Sequence, residues 1–213
     1  PTLQDCMDWG MKLVPVSRGE YREKHLPFFK AWLRDQFGNP WIIPEGAGDA
    51  FGTMGCQGLI TSEDLEHPWD AVVVSAGTGA TAAGIALGLR GLSHLFAGSA
   101  LKGVDMGNLI LERLDNALMD SRWAAEIMEE VTPWHDAHQG GFGKIPTKVE
   151  AFMDQFQTET GIELDGVYTA KTMLKLQAIL QTPSAQRPEQ FDRGSRVLFV
   201  HTGGIQGNRS REF

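Results

Sequence analysis

Gly77, Thr78, Gly79, Ala80 and Thr81 form the stretch whose residue types and spacing best suit chemistry, and the chemistry is the holding of a phosphate. The two glycines let an anion approach the backbone with no Cβ in the way, and Thr78 and Thr81 add hydroxyl donors. Before them runs an apolar β-branched segment, residues 71–74; after them comes an Ala/Leu-rich helix that Thr81 can help to cap. Strand, glycine turn and helix together make a phosphate cradle, because free backbone N–H groups and the positive end of the helix dipole face the turn. Residues 77–82 also fit G-x-G-x-x-A, but a dinucleotide needs an acid about 20 positions on to hold a ribose. The next strand candidate, residues 94–101, carries no acid, and the first one met is Asp105. That disfavours a nicotinamide-dependent oxidoreductase. No Lys-Ser or Lys-Thr follows the glycines, so Walker A is absent too. A tight strand-to-helix turn with no ligand fits the spacing alone equally well.

The other constellations are weaker. His135, Asp136 and His138 invite a metal, but a third strong ligand at suitable spacing is missing, and no metal is expected. There is no G-x-S-x-G, and serine hydrolase chemistry has no support. His201, at the end of a strand, reads as a packed, hydrogen-bonded histidine. Tyr168 is one of two tyrosines; it is either a half-buried aromatic or a stacking face and phenolic proton donor.

The elements that must position these groups come from a chain of 213 residues, enough for one large domain or one and a half. A formal net charge of -8 argues against a nucleic-acid partner, since neutralising phosphates needs a basic face. Two cysteines, Cys6 and Cys56, suggest no disulfide framework, so a reducing, cytoplasmic compartment is the default. Residues 71–89 are charge-free over a length that imitates a membrane span, but the small residues at their centre argue for a strand and a helix. No signal peptide is evident and no membrane partner is expected.

In chain order, the first ten residues carry helix-start signals, opening with Pro1. Residues 13–16 read as a short strand, 21–37 as an amphipathic helix with Phe28, Phe29, Trp32 and Leu33 as core, and 41–43 as another strand. A glycine-rich loop, 44–58, runs into a helix. After the phosphate turn come a strand near 95–101, a helix over most of 106–131 and an irregular stretch, 132–146. Helices follow at 147–160, stopped by Gly161, and at 169–181, with a short extended piece at 164–168 between them. A polar linker leads to a last strand, 197–201. Strands alternating with helices imply an open, mostly parallel α/β sheet, in which ligands sit beyond the carboxyl ends of strands. Residues 75–81, Tyr168 with Thr169, and 202–204 all end there, and the loop 140–144 is a candidate fourth wall.

Three motifs in this order and spacing, SAGTGATAAG, LDGVYTAK and VLFVHTGGIQG, resemble the D-cysteine desulfhydrase and 1-aminocyclopropane-1-carboxylate deaminase family. PTLQDCMDWGMKLVPVSRGEYREK and WIIPEGAG extend the similarity over nearly all of the chain. The resemblance implies a tryptophan-synthase β-like fold, pyridoxal-phosphate fold type II, with helices on both faces of an open twisted sheet. It implies a small amino acid as substrate, pyridoxal 5'-phosphate as cofactor, and a lyase or deaminase activity. The reaction would be either α,β-elimination to a 2-oxo acid and ammonia, as in D-cysteine desulfhydrase, or ring opening and deamination of the cyclopropane acid. The residues from Gly77 to Thr81, Ala80 included, would hold the cofactor phosphate. Tyr168 would lie against the pyridine ring or the substrate, and either Thr169 or Thr202 would face the ring nitrogen. The resemblance also implies a homo-oligomer, commonly a dimer.

Two departures from the family pattern matter. The deaminases proper carry Glu after the tyrosine, whereas Thr169 stands here, which leans toward the desulfhydrase side. A hydroxyl leaves the ring nitrogen less firmly protonated than a carboxylate would, and suits a good leaving group such as a thiolate. Phe142, in GGFGK, stands where the family usually has a tyrosine, which removes a phenol from proton transfer. The lysine that attaches the cofactor covalently belongs to a segment expected to precede Pro1, so the chain reads as N-terminally truncated. Its eight lysines, 12, 24, 30, 102, 144, 148, 171 and 175, lie outside that motif, and Lys171 matches a different family lysine. On this reading residues 1–44 are the remainder of a smaller domain and 45–213 most of a larger, phosphate-binding one. The chain alone is then expected to be inactive; a non-catalytic phosphate-binding module is the alternative.

Overall fold

A computed structural model describes residues 2–211 of the chain, which divide into two compact units, Pro1–Ile43 and Pro44–Phe213. Pro1, expected to open the first helix, lies outside the described residues. In the first unit the chain forms α1 (Thr2–Asp8), α2 (Arg18–Arg22) and α3 (Pro27–Phe37). Ser17 starts α2 through a capping box: its hydroxyl accepts from Glu20 N–H at 3.2 Å, and the Glu20 carboxylate accepts from Ser17 N–H at 2.7 Å. The single helix expected over 21–37 is therefore broken. Pro27 has no amide hydrogen and is tolerated at the first position of a helix but not inside one, so it begins α3 afresh.

The aromatics of α3 are not core, contrary to expectation. Phe28 is 57% exposed, Phe29 and Leu33 are half-buried, and no described residue of this unit is buried. Neither 13–16 nor 41–43 is a strand. Both lack a ladder partner among the described residues, and an apolar run becomes a strand only by pairing.

The second unit opens with a 3-10 turn, Glu45–Ala47, then α4 (Ala50–Gln57), capped by Asp49, and α5 (Ser62–Glu66), capped by Thr61. There follow β1 (Ala71–Ala76), α6 (Ala80–Leu89), β2 (His94–Ser99), α7 (Met106–Leu118), α8 (Ser121–Met128) and β3 (Val131–Trp134). Then come α9 (Thr147–Thr160), α10 (Thr169–Gln181) and β4 (Val197–Val200), followed by a 3-10 stretch, Ile205–Arg211. The four strands form one wholly parallel sheet in the order β3-β2-β1-β4, with Val74 opposite Ala97 on one side and Val200 on the other. All six residues of β1 are buried. Val72 and Val74 pack with Ile85, Ile110 and Leu114 on one face, and Ala71 and Val73 with Phe96, Leu176 and Phe191 on the other. Each buried valine contributes on the order of 1.5–3 kcal/mol. A strand buried on both faces has no polar alternation, which is why its sequence is an unbroken apolar run.

Small residues let α6 lie close on α4. A Cβ at Gly84 would stand 2.5 Å from Cys56 Cβ, and one at Gly88 would stand 2.8 Å from the Gln57 carbonyl oxygen. The helix expected over 106–131 is divided, because Met119 takes a left-handed φ of 52° and Asp120 caps α8. The irregular stretch expected from 132 begins instead inside β3, an edge strand where Pro133 has no missing ladder bond to make good. Residues 164–168 are not an extended piece: 166–168 form a turn that leads into α10. Among the described residues no helix is long and apolar enough to cross a membrane, and the charge-free run is divided between β1 and α6.

Candidate active site

From β1 the chain moves one way, to β2 and β3, while β4 joins β1 on its other side. The crevice beyond the carboxyl ends of β1 and β4 is thus a topological switch point, where open α/β sheets place ligands. Into it β1 delivers Gly77, Thr78 and Gly79. Gly79 has φ 82° and occupies the N-cap of α6 with no side-chain cap, so Thr81 does not cap the helix as expected. The first N–H groups of α6 thus have no capping side chain, and Thr81 sits inside the first turn with its hydroxyl 3.8 Å from Cys56 Sγ. Ala80, beside it, is buried. The turn is framed from two sides. Arg113 Nε, on α7, donates to the Thr78 carbonyl at 3.2 Å, and Thr78 Oγ1 donates to the Gly46 carbonyl at 3.4 Å. A Cβ at Gly46 would stand 2.8 Å from Thr78 Cγ2, so only glycine leaves room there.

Tyr168 lies against this turn: a Cβ at Gly77 would stand 3.0 Å from its Cε1 and 3.4 Å from its hydroxyl. Burial, with smaller contributions from the charges of Asp165 and Glu45, pushes the Tyr168 phenol above the ordinary tyrosine range and keeps it protonated. The ring is held by the turn before α10. Asp165 Oδ1 accepts from Val167 N–H at 2.9 Å and Tyr168 N–H at 2.8 Å. Its Oδ2 accepts from Thr169 N–H at 2.8 Å and from the Thr169 hydroxyl at 2.7 Å. Thr169 is fully buried, and its oxygen also accepts from Asp165 N–H at 2.8 Å. Phe142 is 58% exposed and meets Tyr168 edge-on, ring centroids 5.9 Å apart.

Thr202 is exposed just beyond β4. The glycines after it pass close to Asp165: a Cβ at Gly204 would stand 3.1 Å from Asp165 Cγ. His201 donates through Nε2 to the Glu163 carbonyl at 2.8 Å and accepts through Nδ1 from Gly203 N–H at 3.1 Å, which requires the Nε2–H tautomer. Asp136 pairs with Lys175 at 2.6 Å, and His138 Nδ1 accepts from Gly140 N–H at 2.9 Å. Among the described residues no three His, Cys, Asp or Glu side chains gather as a metal site would need.

The structure thus brings Gly77, Tyr168 and Phe142 together, sets Thr169 beneath them in the interior, and leaves Thr202 at the neighbouring strand end. Sequence reasoning missed Asp165, Arg113 and Asn208, whose amide nitrogen reaches Glu163 Oε1 at 2.8 Å and the Leu164 carbonyl at 2.9 Å. Asp165 had a signal, an acid four residues ahead of a helix beginning at Thr169, the spacing of an Asx turn feeding a cap. Arg113 had none, since its partner is 35 residues away.

No family model matches the chain. A protein of Pyrococcus horikoshii named "Putative 1-aminocyclopropane-1-carboxylate deaminase" is 31% identical over 179 residues, 82% of this chain and 52% of the relative. Its namesake in Pyrococcus furiosus is 26% identical over 182 residues, 82% of this chain and 53% of the relative. A D-cysteine desulfhydrase of Klebsiella pneumoniae is 30% identical over 175 residues, 78% and 50% respectively. A crystal structure of an ACC deaminase homologue superposes with a TM-score of 0.69 at 25% identity, over 95% of this chain and 62% of that one. The chain spans about half the length of the curated relatives it matches. Sequence and fold agree: the chain is similar to 1-aminocyclopropane-1-carboxylate deaminases and to a D-cysteine desulfhydrase over about four fifths of its length, and its parallel sheet has the tryptophan-synthase β-like architecture of fold type II.

Proposed function

We propose that this chain supplies the phosphate-holding and ring-facing walls of a pyridoxal 5'-phosphate site in a lyase or deaminase of a small amino acid. The observation that carries the reading is the glycine turn at the switch point, opening a helix with no side-chain cap under the Tyr168 ring. The residues present fit the group: Gly77 to Thr81 offer N–H and hydroxyl donors to a phosphate, and the Tyr168 ring offers a flat apolar wall to a pyridine. Bound there, the cofactor would supply the electron sink for loss of a Cα proton and a β-substituent.

The chain's own groups would do the rest. The protonated Tyr168 hydroxyl would hold a proton at the crevice, and Phe142 would cover its edge from water. Of the two threonines, burial and the bonds to Asp165 take Thr169 out of reach, so Thr202 is our choice to face the ring nitrogen. We read residues 1–44 as part of a smaller domain and 45–213 as the larger, cofactor-binding one. Lys171 and Lys175 are bonded to Gly141 and Asp136. Because none of the eight lysines of this sequence lies in the motif that attaches the cofactor, we read binding by this chain as non-covalent and turnover by it as absent or very slow, with a D-cysteine-like substrate favoured by the hydroxyl partner.

The test is a parallel titration with pyridoxal 5'-phosphate and pyridoxal, followed by quenching of tryptophan fluorescence. Phosphate-cradle hydrogen bonds predict tighter binding of the phosphorylated form by about tenfold or more, with inorganic phosphate competing. Equal affinity for the two would refute the reading. Binding together with release of 2-oxo acid from D-cysteine would refute the non-covalent, inactive part alone.

A further inference from the structure

The loop that carries Phe142 is glycine-rich and winds through left-handed backbone, with Gly140 and Gly141 N–H bonded to His138 Nδ1 at 2.9 Å and to its carbonyl at 3.1 Å. Gln139, Gly140, Gly141 and Gly143 all have positive φ, at 49°, 102°, 124° and 70°. Glycines here have many conformations open to them and no side chains to select among them, so ordering them is entropically costly. One carbonyl of the loop is nonetheless fixed from the interior. Gly141 is buried, and its oxygen accepts from Lys171 Nζ at 2.8 Å as well as from Lys144 N–H at 3.3 Å.

Lys171 is 1% exposed in the first turn of α10, thirty residues further along the chain. An amine at that depth is costly, and a methionine would fill similar space at no such cost. Burial draws its pKa below the ordinary lysine range, and the charge of Asp165 opposes the fall. Its bond ends on the residue next to Phe142, whose ring meets Tyr168, which in turn covers Gly77.

We propose that Lys171 is a positioning residue that clasps the 140–143 loop through the Gly141 carbonyl, fixing Phe142 against Tyr168 and so setting the substrate-side wall of the crevice. The substrate side of that wall rests on the function proposed above; the clasp itself can be read with no ligand present. Backbone amide exchange in the full chain, followed by mass spectrometry, tests it. In Lys171→Met the bonded amides of Gly140, Gly141 and Lys144 exchange faster by about tenfold or more, the worth of one hydrogen bond to a charged donor, while the sheet exchanges as before. In a Tyr21→Phe background, where Tyr168 is the sole tyrosine, the same change moves the phenol titration back toward the ordinary range.

Unchanged loop exchange in Lys171→Met overturns the clasp, as does a uniform rise that takes the sheet with it. Phe142→Ala keeps the test open should Lys171→Met not fold, since it alters a mostly exposed ring. With Lys171 in place, slow exchange at the three amides persists and Tyr168 shifts as before; fast exchange in this variant overturns the proposal. A parent chain that binds no cofactor would end the reading of function and leave the clasp standing.

Discussion

Asp165→Asn is the substitution whose cost the structure lets one work out most fully. It changes one carboxylate oxygen to an amide nitrogen at almost constant volume, in a residue 2% exposed. With the amide oxygen placed at Oδ1, the bonds from Val167 N–H and Tyr168 N–H persist, weakened by loss of the charge. At Oδ2 the new NH2 faces two donors, Thr169 N–H and the Thr169 hydroxyl. The hydroxyl can rotate, since it also accepts from Asp165 N–H, but Thr169 N–H is left buried and unpaired. Orphaning a buried N–H costs about 1–3 kcal/mol, and two charge-assisted bonds made neutral add roughly 1 kcal/mol. A total of about 3 kcal/mol lowers the melting temperature of a chain this size by roughly 6–12 °C. Calorimetry of Asp165→Asn beside its parent reads this, and cofactor titration of the same variant reads the accompanying loss of Tyr168 placement. A fall of less than about 2 °C would mean that the carboxylate does not hold the turn, and the account of how Tyr168 is positioned would fail with it.

Gly79→Ala and Gly77→Ala should fail differently. The first puts a Cβ on a left-handed residue, costing about 1–2 kcal/mol of stability as read by urea unfolding. The second has ordinary backbone but crowds the Tyr168 ring at 3.0 Å, so it weakens pyridoxal 5'-phosphate binding by at least about fivefold in the quenching titration with little loss of stability. Thr202→Ala changes the absorption spectrum of the bound cofactor and leaves the melt unaltered, whereas Thr169→Ala lowers the melt; the reverse pattern would assign the ring nitrogen to Thr169. Because the folded-state pKa of Tyr168 is raised, the folded chain binds that proton more tightly than the unfolded one. Its contribution to stability is full below the unfolded tyrosine value, near 10, and is lost as pH rises from there through the folded value. Unfolding of Tyr168→Phe measured against the parent from pH 8 upward isolates this contribution.

The parts of the fold legible from sequence are those where one local pattern suffices. Residues 147–160 and 169–181 have the 3.6-residue apolar spacing, and Gly161 stops the first with φ 75°, so the bounds of α9 and α10 match their expected ranges. The runs at 71–74 and 197–200 are apolar enough to mark strands, buried in β1 and half-buried in β4. What could not be read depended on partners far away. Residues 13–16 and 41–43 are as apolar as β3 but have no strand to pair with, while β3, with a proline and two half-exposed positions, pairs along the edge of β2. Phe28 and Trp32 look like core from their spacing, which reports that one face is apolar and not what lies against it. At the site, the glycine turn is written in a few consecutive residues. The carboxylate of Asp165, the guanidinium of Arg113 and the amine of Lys171 act across gaps that only the folded chain closes.

The pairing of β1 with β4 also sets an order of assembly. Asp70 and Ala71 are held by the Arg196 carbonyl, across 125 residues or more, so the crevice has only one of its two flanking strands until β4 has been made. During synthesis at about 5–20 residues per second, the glycine turn would wait on the order of 6–25 seconds for β4 to emerge. Ribosome-bound chains halted before and after residue 200, probed by proteolysis at 77–79, would show whether the turn is protected only in the longer ones. The helix start at Gly79 would thus spend its first seconds with one flank missing, so that the crevice takes its final shape only after β4 has been made.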